Sequence, residues 1–365
     1  MSAMLILKLR DRRKRGNDMY RRFLENEQMN FQLNRVAIYG KSCVDLDEVI
    51  PLLPRMKDMN GWIEAWLELA DKAYKEQRFS QATYYYRMAE FFMKDSAPNK
   101  LWCYKKFREC FDCTHKNDHV ERFEVPFGGT YLPAIRIKAE NEIGTLLIHG
   151  GYDSFIEEFY PQVTSYVKLG FSLILYEGPG QGQARKNGLY FNHEWEKPTS
   201  AVLDYFNLDN VAIMGISWGG YLAPRAAAFD KRITNVICYD ICYWGLEALL
   251  CHLPDEASNK LQMLLYTQQK DIINKILAKN MSEDIHMDWQ ISHGMYITGT
   301  DTPYDYLKNI EKHKMSDIMP RITQNVLLLA GEEDMYVPVK RIEDIKRGLV
   351  NAKSVTSHVF TKKWC

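Results

Sequence analysis

The sequence predicts an α/β fold: a mostly parallel sheet with helices on both faces, preceded by a helical N-terminal region and interrupted once by a helical insertion. Three observations carry this expectation. Apolar runs at residues 144–149, 171–176, 233–239 and 325–331 are continuous rather than alternating, as in strands buried on both faces. Helical periods alternate with these runs, the rhythm of a parallel sheet. Another apolar run, from Val211, breaks into Gly215-Ile216-Ser217-Trp218-Gly219 before an alanine-rich helix over 221–229, which is a sharp strand-to-helix turn.

Taken in order, residues 4–9 are apolar and 10–15 are basic. Charge after the apolar patch is the wrong order for an export signal and reads as a solvated helix face. From about residue 18 to residue 115 the period is helical. Trp62, Trp66, Leu69, Ala70 and Ala73 recur at helix spacing, and Ala82, Tyr85, Ala89 and Phe92 do so after a break at 77–80. A third helix is expected over 99–113. No second copy follows at a fixed period, so residues 1–117 read as a helical cap rather than a solenoid, with homodimerisation through these helices left open. At His119 the period becomes two, and residues 120–127 and 130–138 form a hairpin around Gly128-Gly129. A second domain, 118–365, starts there. Helices are expected at 157–169 and 194–205 between its buried strands. Residues 243–319 hold helix-like segments at 246–253, 261–280 and 303–312 and no strong strand, which reads as a lid inserted after the sixth strand. A helix over 339–349 and a strand over 353–360 follow the last buried run.

The 47 basic and 47 acidic residues balance, which favours neither nucleic acid nor an anionic membrane as partner. No apolar run approaches the ~20 residues that span a bilayer. Eight cysteines lack zinc-site spacing, and Cys110 and Cys113 lie in a helical context with no strand before them, so all read as reduced thiols. The expectation is a cytoplasmic protein that takes a small-molecule substrate and needs no metal or organic cofactor.

The glycine-flanked Ser217 reads as a nucleophile elbow, with the Trp218 N–H at a helix N-terminus free to face an oxyanion. Its plain alternative is a glycine-rich turn with an incidental serine. His149-Gly150-Gly151-Tyr152 ends the third strand, where small residues let the N–H of Gly151 or Tyr152 join that of Trp218. His149 itself precedes the elbow and reads as a structural loop histidine. Asp334, after a buried strand and Gly331, stands where a triad acid is expected, and Glu332 and Glu333 read as solvated loop carboxylates. Tyr243 and Trp244, with Tyr152 and Trp218, are candidate walls of a cleft for an aromatic substrate, or simply core.

Four stretches, residues 150–158, 176–182, 215–228 and 331–338, together resemble the two-domain α/β-hydrolases that include 2,6-dihydroxypseudooxynicotine hydrolase, the fungal pigment polyketide-shortening hydrolases and the fermentation-respiration switch protein group. The lid stretch 289–296 and the helical N-terminus are similar too. The resemblance implies an α/β-hydrolase fold with catalysis in a cleft beneath a helical cap. It implies cleavage of a carbon–carbon bond or an ester in a small aromatic or polyketide-like carbonyl compound by a Ser-Asp-His site. In that group the histidine follows the last strand in a loop. Here the sequence reaches Thr361-Lys-Lys-Trp-Cys365 where the loop would open, and the late histidine is His358, inside the predicted strand. Two readings stay open: His358 is the base, or the protein is a catalytically impaired hydrolase fold that binds a ligand or partner.

Overall fold

The structure, a computed structural model, describes residues 20–361. The apolar patch, the basic run and the start of the first helical stretch lie outside the described residues. Eight strands make the sheet: β1 (Glu121–Phe127), β2 (Thr130–Ile137), β3 (Gly144–His149), β4 (Phe171–Tyr176), β5 (Val211–Ile216), β6 (Ile233–Tyr239), β7 (Asn325–Gly331) and β8 (Ser354–Phe360). Their spatial order is β1-β2-β4-β3-β5-β6-β7-β8. The β1–β2 and β2–β4 pairs are antiparallel, and all pairs from β4 to β8 are parallel. The predicted fold class is the observed one.

Strands β3, β4 and β5 sit between two apolar layers, while β7 and β8 alternate between covered and open positions. One contains Leu147, Ile213, Val236 and Leu328 against the elbow helix, and the other Leu146, Ile148 and Met214 against the segment 156–169. That segment, expected as one helix, is a single α-turn between two 3-10 stretches.

Ahead of the sheet come helices α1 (Glu27–Ala37), α2 (Met59–Lys75), α3 (Phe79–Phe91) and α4 (Lys100–His115). Asp58 starts α2 by accepting the Gly61 N–H at 2.9 Å, and Trp62 and Trp66, one turn apart, turn inward to meet at 5.6 Å. The core they build is shared: Phe155, just beyond β3, and Trp289 from the insertion are buried within it. The helices therefore rest on the loops at the carboxyl ends of the strands, where open α/β sheets hold their ligands.

Between β4 and β7 lie α5 (Glu196–Tyr205), the elbow helix α6 (Gly219–Phe229), and the insertion helices α7 (Asp255–Tyr266), α8 (Lys270–Glu283), α9 (Ile285–Thr298) and α10 (Pro303–Ile310); α11 (Arg341–Gly348) follows β7. The single helix expected over 261–280 is two, because Gln268 takes φ +56° between α7 and α8. Trp289 to Tyr296, given no helix from the sequence, falls inside α9, which Asp284 caps by accepting the His286 and Met287 N–H groups. The insertion's apolar core, including Leu246, Leu265, Tyr306 and Ile310, packs on Tyr152 and Trp218. Among the described residues no helix is long and apolar enough to cross a membrane, and the seven described cysteines are all free thiols.

Candidate active site

The run from β5 into α6 makes the sharpest turn in the sheet. Ser217 adopts φ +60°, a conformation costly for a non-glycine residue and one that persists only where the surroundings enforce it. Here they do. The Ser217 N–H donates to the Tyr239 carbonyl at 2.6 Å, and the Gly220 N–H donates to the Ser217 carbonyl at 2.8 Å. A Cβ on Gly215 would stand 1.9 Å from the Gly219 carbonyl oxygen, so strand and helix can approach this closely only with glycine at 215. The result is an exposed Ser217 between buried glycines.

The loop after β3 lies against this turn. A Cβ on Gly151 would fall 2.6 Å from the Trp218 nitrogen. No backbone carbonyl of a described residue accepts from the N–H groups of Gly151, Tyr152 or Trp218. The loop is braced from behind by Gln181, whose amide donates to the carbonyls of Gly150 (3.0 Å) and Gly151 (2.6 Å) while its oxygen accepts the Gly178 N–H at 2.9 Å. Residues 177–182, known from the sequence only as a resemblance, thus act as a buttress. His149 is buried, donates from Nδ1 to the Gly150 carbonyl at 2.8 Å, and is driven down to about 4 by desolvation. It is a neutral structural imidazole near pH 7.

The buttress starts at Glu177, which is buried and accepts the Gln183 N–H at 2.6 Å. Burial, then the charge of Glu157, raises its carboxyl from 4.5 to about 7. The folded state therefore holds this proton more tightly than the unfolded chain, so the stabilisation is complete below pH 4.5 and is lost as pH rises to about 7. The loss amounts to ~3 kcal/mol. In urea titrations at pH 4.5 and pH 8, Glu177→Gln is expected to show a smaller fall in stability than wild type; equal falls would place Glu177 as an ordinary carboxylate.

Asp334, on the loop after β7, is half-buried, whereas Glu332 and Glu333 are exposed. Its Oδ1 accepts the N–H groups of Tyr336 and Val337, both at 2.8 Å, which fixes the carboxylate. The sequence reading missed its neighbour, Asp240 at the end of β6. Burial, then the Asp334 charge, pushes the Asp240 carboxyl well above the usual range. Asp240 follows Tyr239, whose carbonyl holds Ser217, so Asp240 borders the elbow.

The side chains of the remaining candidates take other parts. Tyr152 and Trp218 stack on each other at 5.1 Å, and the Tyr152 hydroxyl donates to Tyr306 at 2.8 Å, so these rings anchor the insertion. Tyr243 lies under the Arg341 guanidinium at 4.4 Å. Trp244 donates from Nε1 to the Glu311 carbonyl at 3.1 Å and lines an outer groove with Leu246, Met263 and Tyr266. Both hold the root of the insertion. His358 is not brought to Ser217. The register places Ile216, Tyr239, Leu329 and His358 in one row across β5 to β8. Three strand spacings put His358 about 14 Å from Ile216. It is exposed on β8 with its ring on Phe360 at 4.7 Å. His252 in the insertion lies against the acid loop, edge-on to Tyr336 at 5.7 Å.

This sheet order is that of an α/β-hydrolase fold, and it carries a strained, exposed serine at the end of β5. The chain is similar over nearly its whole length to fungal proteins with hydrolase names. It is 24% identical to hydrolase acrC of Aspergillus aculeatus, over 88% of this chain and 86% of that one. It is 26% identical to 20-hydroxy-prefusarin hydrolase FUS2 of Gibberella moniliformis, over 87% and 85%. Among solved structures, 2,6-dihydroxy-pseudo-oxynicotine hydrolase superposes with a TM-score of 0.68 at 17% identity, covering 90% of this chain and 89% of that one. AbyA5 does so with a TM-score of 0.66 at 16% identity, covering 90% and 87%. No protein-family model matches the chain.

Proposed function

We propose that the protein is a serine hydrolase that attacks a carbonyl of a small aromatic or polyketide-like substrate, with the N-terminal helices and the insertion as cap and lid. One observation carries this reading: the exposed Ser217, strained at φ +60°, lies beside a Gly151 loop packed on the Trp218 nitrogen. Ser217 Oγ adds to the carbonyl, and the oxyanion that forms is held by the N–H of Trp218 and that of Gly151 or Tyr152. The Ser217 proton passes to a general base that Asp334 would orient, a role that His358, as placed, does not fill. Collapse of the adduct expels an alkoxide, or a carbanion stabilised by an adjacent ring or carbonyl, which takes up that proton. Water then releases the acyl group from Ser217. The names of the relatives, which specify a prefusarin and a hydroxylated oxynicotine, support an oxygenated aromatic or polyketide-like substrate.

The place of His358 favours a second reading, a hydrolase fold that binds its ligand but turns it over poorly. Hydrolysis of a p-nitrophenyl ester, with fluorophosphonate labelling of Ser217, separates the two. On either reading His358→Ala is expected to leave ester hydrolysis within about twofold of wild type. A hundredfold loss in that variant would make His358 the base after all.

A further inference from the structure

We propose that Arg87, in the N-terminal helices, is a positioning residue for the oxyanion loop of the active site. The inference rests on the reading of Ser217 as nucleophile and adds to it a part contributed by the cap. Arg87 lies on α3 and is 3% exposed. A guanidinium so far from water is tolerated only when charge and hydrogen bonds meet it on several sides. Within its own helix it pairs with Glu90 at 2.6 Å. It also lies over the Phe91 ring of that helix at 5.1 Å, and its remaining partners belong to the chain that leaves the oxyanion loop. Nη2 donates to the Asp153 carbonyl at 2.9 Å, the guanidinium lies over the Phe155 ring at 4.1 Å, and Nε is 3.0 Å from Glu158 Oε1.

One side chain thus grips three of the six residues from 153 to 158, starting immediately after Tyr152. The same segment has further holds from outside the sheet. Arg35 on α1 reaches Glu158 at 3.1 Å, and His293 on α9 sets Nε2 3.8 Å from Asp153 Oδ2 while its Nδ1 meets Asp95 at 3.1 Å. Lys100 on α4 closes the set, 3.2 Å from Glu90 and 3.6 Å from Asp95. Gln181 fixes the carbonyls of residues 150 and 151, and Arg87 fixes that of residue 153. The N–H groups of Gly151 and Tyr152 belong to the two peptide planes whose carbonyls Gln181 holds on one side, and Arg87 holds the chain immediately downstream, so the tilt of those planes depends on both anchors. Lysine cannot replace it, since a point charge cannot span a carbonyl and two carboxylates.

The test uses Arg87→Lys and the double variant Arg87→Met with Glu158→Gln, which removes the cation together with a carboxylate partner so that folding is preserved. Each is checked by circular dichroism and thermal melting, then assayed for kcat and KM on a p-nitrophenyl ester beside wild type and Ser217→Ala. The expected result is kcat lower by about 100-fold with KM within about threefold, the pattern of a misplaced oxyanion donor. A folded double variant with kcat within about threefold of wild type, or with KM alone raised, would overturn the role of Arg87 while leaving Ser217 as nucleophile. Wild-type protein with no Ser217-dependent hydrolysis or labelling would instead overturn the hydrolase reading itself.

Discussion

Ser217→Ala is expected to abolish fluorophosphonate labelling and to lower p-nitrophenyl ester hydrolysis on the order of 1,000-fold or more, with the fold intact. The size follows from covalent catalysis: without the hydroxyl only binding and the oxyanion donors remain, and these leave a small residue over the uncatalysed rate. Ser217 is exposed, so losing its oxygen opens no core cavity, and alanine removes no backbone hydrogen bond at the turn. A drop in melting temperature is therefore not the expected cause. Added imidazole sharpens the result. If a base already serves Ser217, tens of millimolar imidazole should change wild-type hydrolysis by less than twofold. A rise of tenfold or more, absent in Ser217→Ala, would show a nucleophile and oxyanion site in place without a base, and would favour the ligand-binding reading. Hydrolysis unaffected by Ser217→Ala would remove the serine mechanism.

What could be read from the sequence was local, and what could not was long-range. Strands β3 to β5 were legible because runs such as Phe171–Tyr176 are apolar at all but one position, a pattern set by burial on both faces, whereas β6 and β7, read as continuous runs, alternate between buried and more open positions. The elbow was legible because Gly215 and Gly219 answer a steric demand within five residues. Asp334 could be picked out from Glu332 and Glu333 by its spacing from Gly331, and it alone of the three is half-buried. Asp240 was not legible, since its significance comes from the neighbouring strand's loop, nearly a hundred residues away. Arg87 was hidden in the same way: its carbonyl partner is 66 positions along the chain, and on α3 it looks like any helix arginine. The break at Gln268 carried no glycine or proline signal, so one helix was read where two form. For His358 the strand was predicted, but its distance from Ser217 depends on sheet order, which strand periodicity does not contain.

Gly151→Ala should cost about 100- to 1,000-fold in kcat and about 1–3 kcal/mol of stability, because it closes the space in which the oxyanion forms and overpacks the loop. The added methyl would sit 2.6 Å from the Trp218 nitrogen and 3.0 Å from the Ile216 carbonyl oxygen, closer than real Cβ atoms come to backbone. Neither neighbour can yield freely. Trp218 is fixed by the turn that strains Ser217 and by its ring stacked on Tyr152, and Ile216 is in β5. The loop must move instead, pulling against the Gln181 amide at the Gly150 and Gly151 carbonyls. Backing away turns the N–H groups of Gly151 and Tyr152 off the oxyanion but leaves the elbow as it was. Gly151→Ala should therefore keep an exposed Ser217 that labels slowly with fluorophosphonate, whereas Ser217→Ala labels not at all. Full activity in Gly151→Ala would mean that the oxyanion is held elsewhere than between this loop and Trp218. Loss of labelling together with a large fall in melting temperature would mean that Gly151 serves the packing of β3 on β5, and that its part in catalysis is indirect.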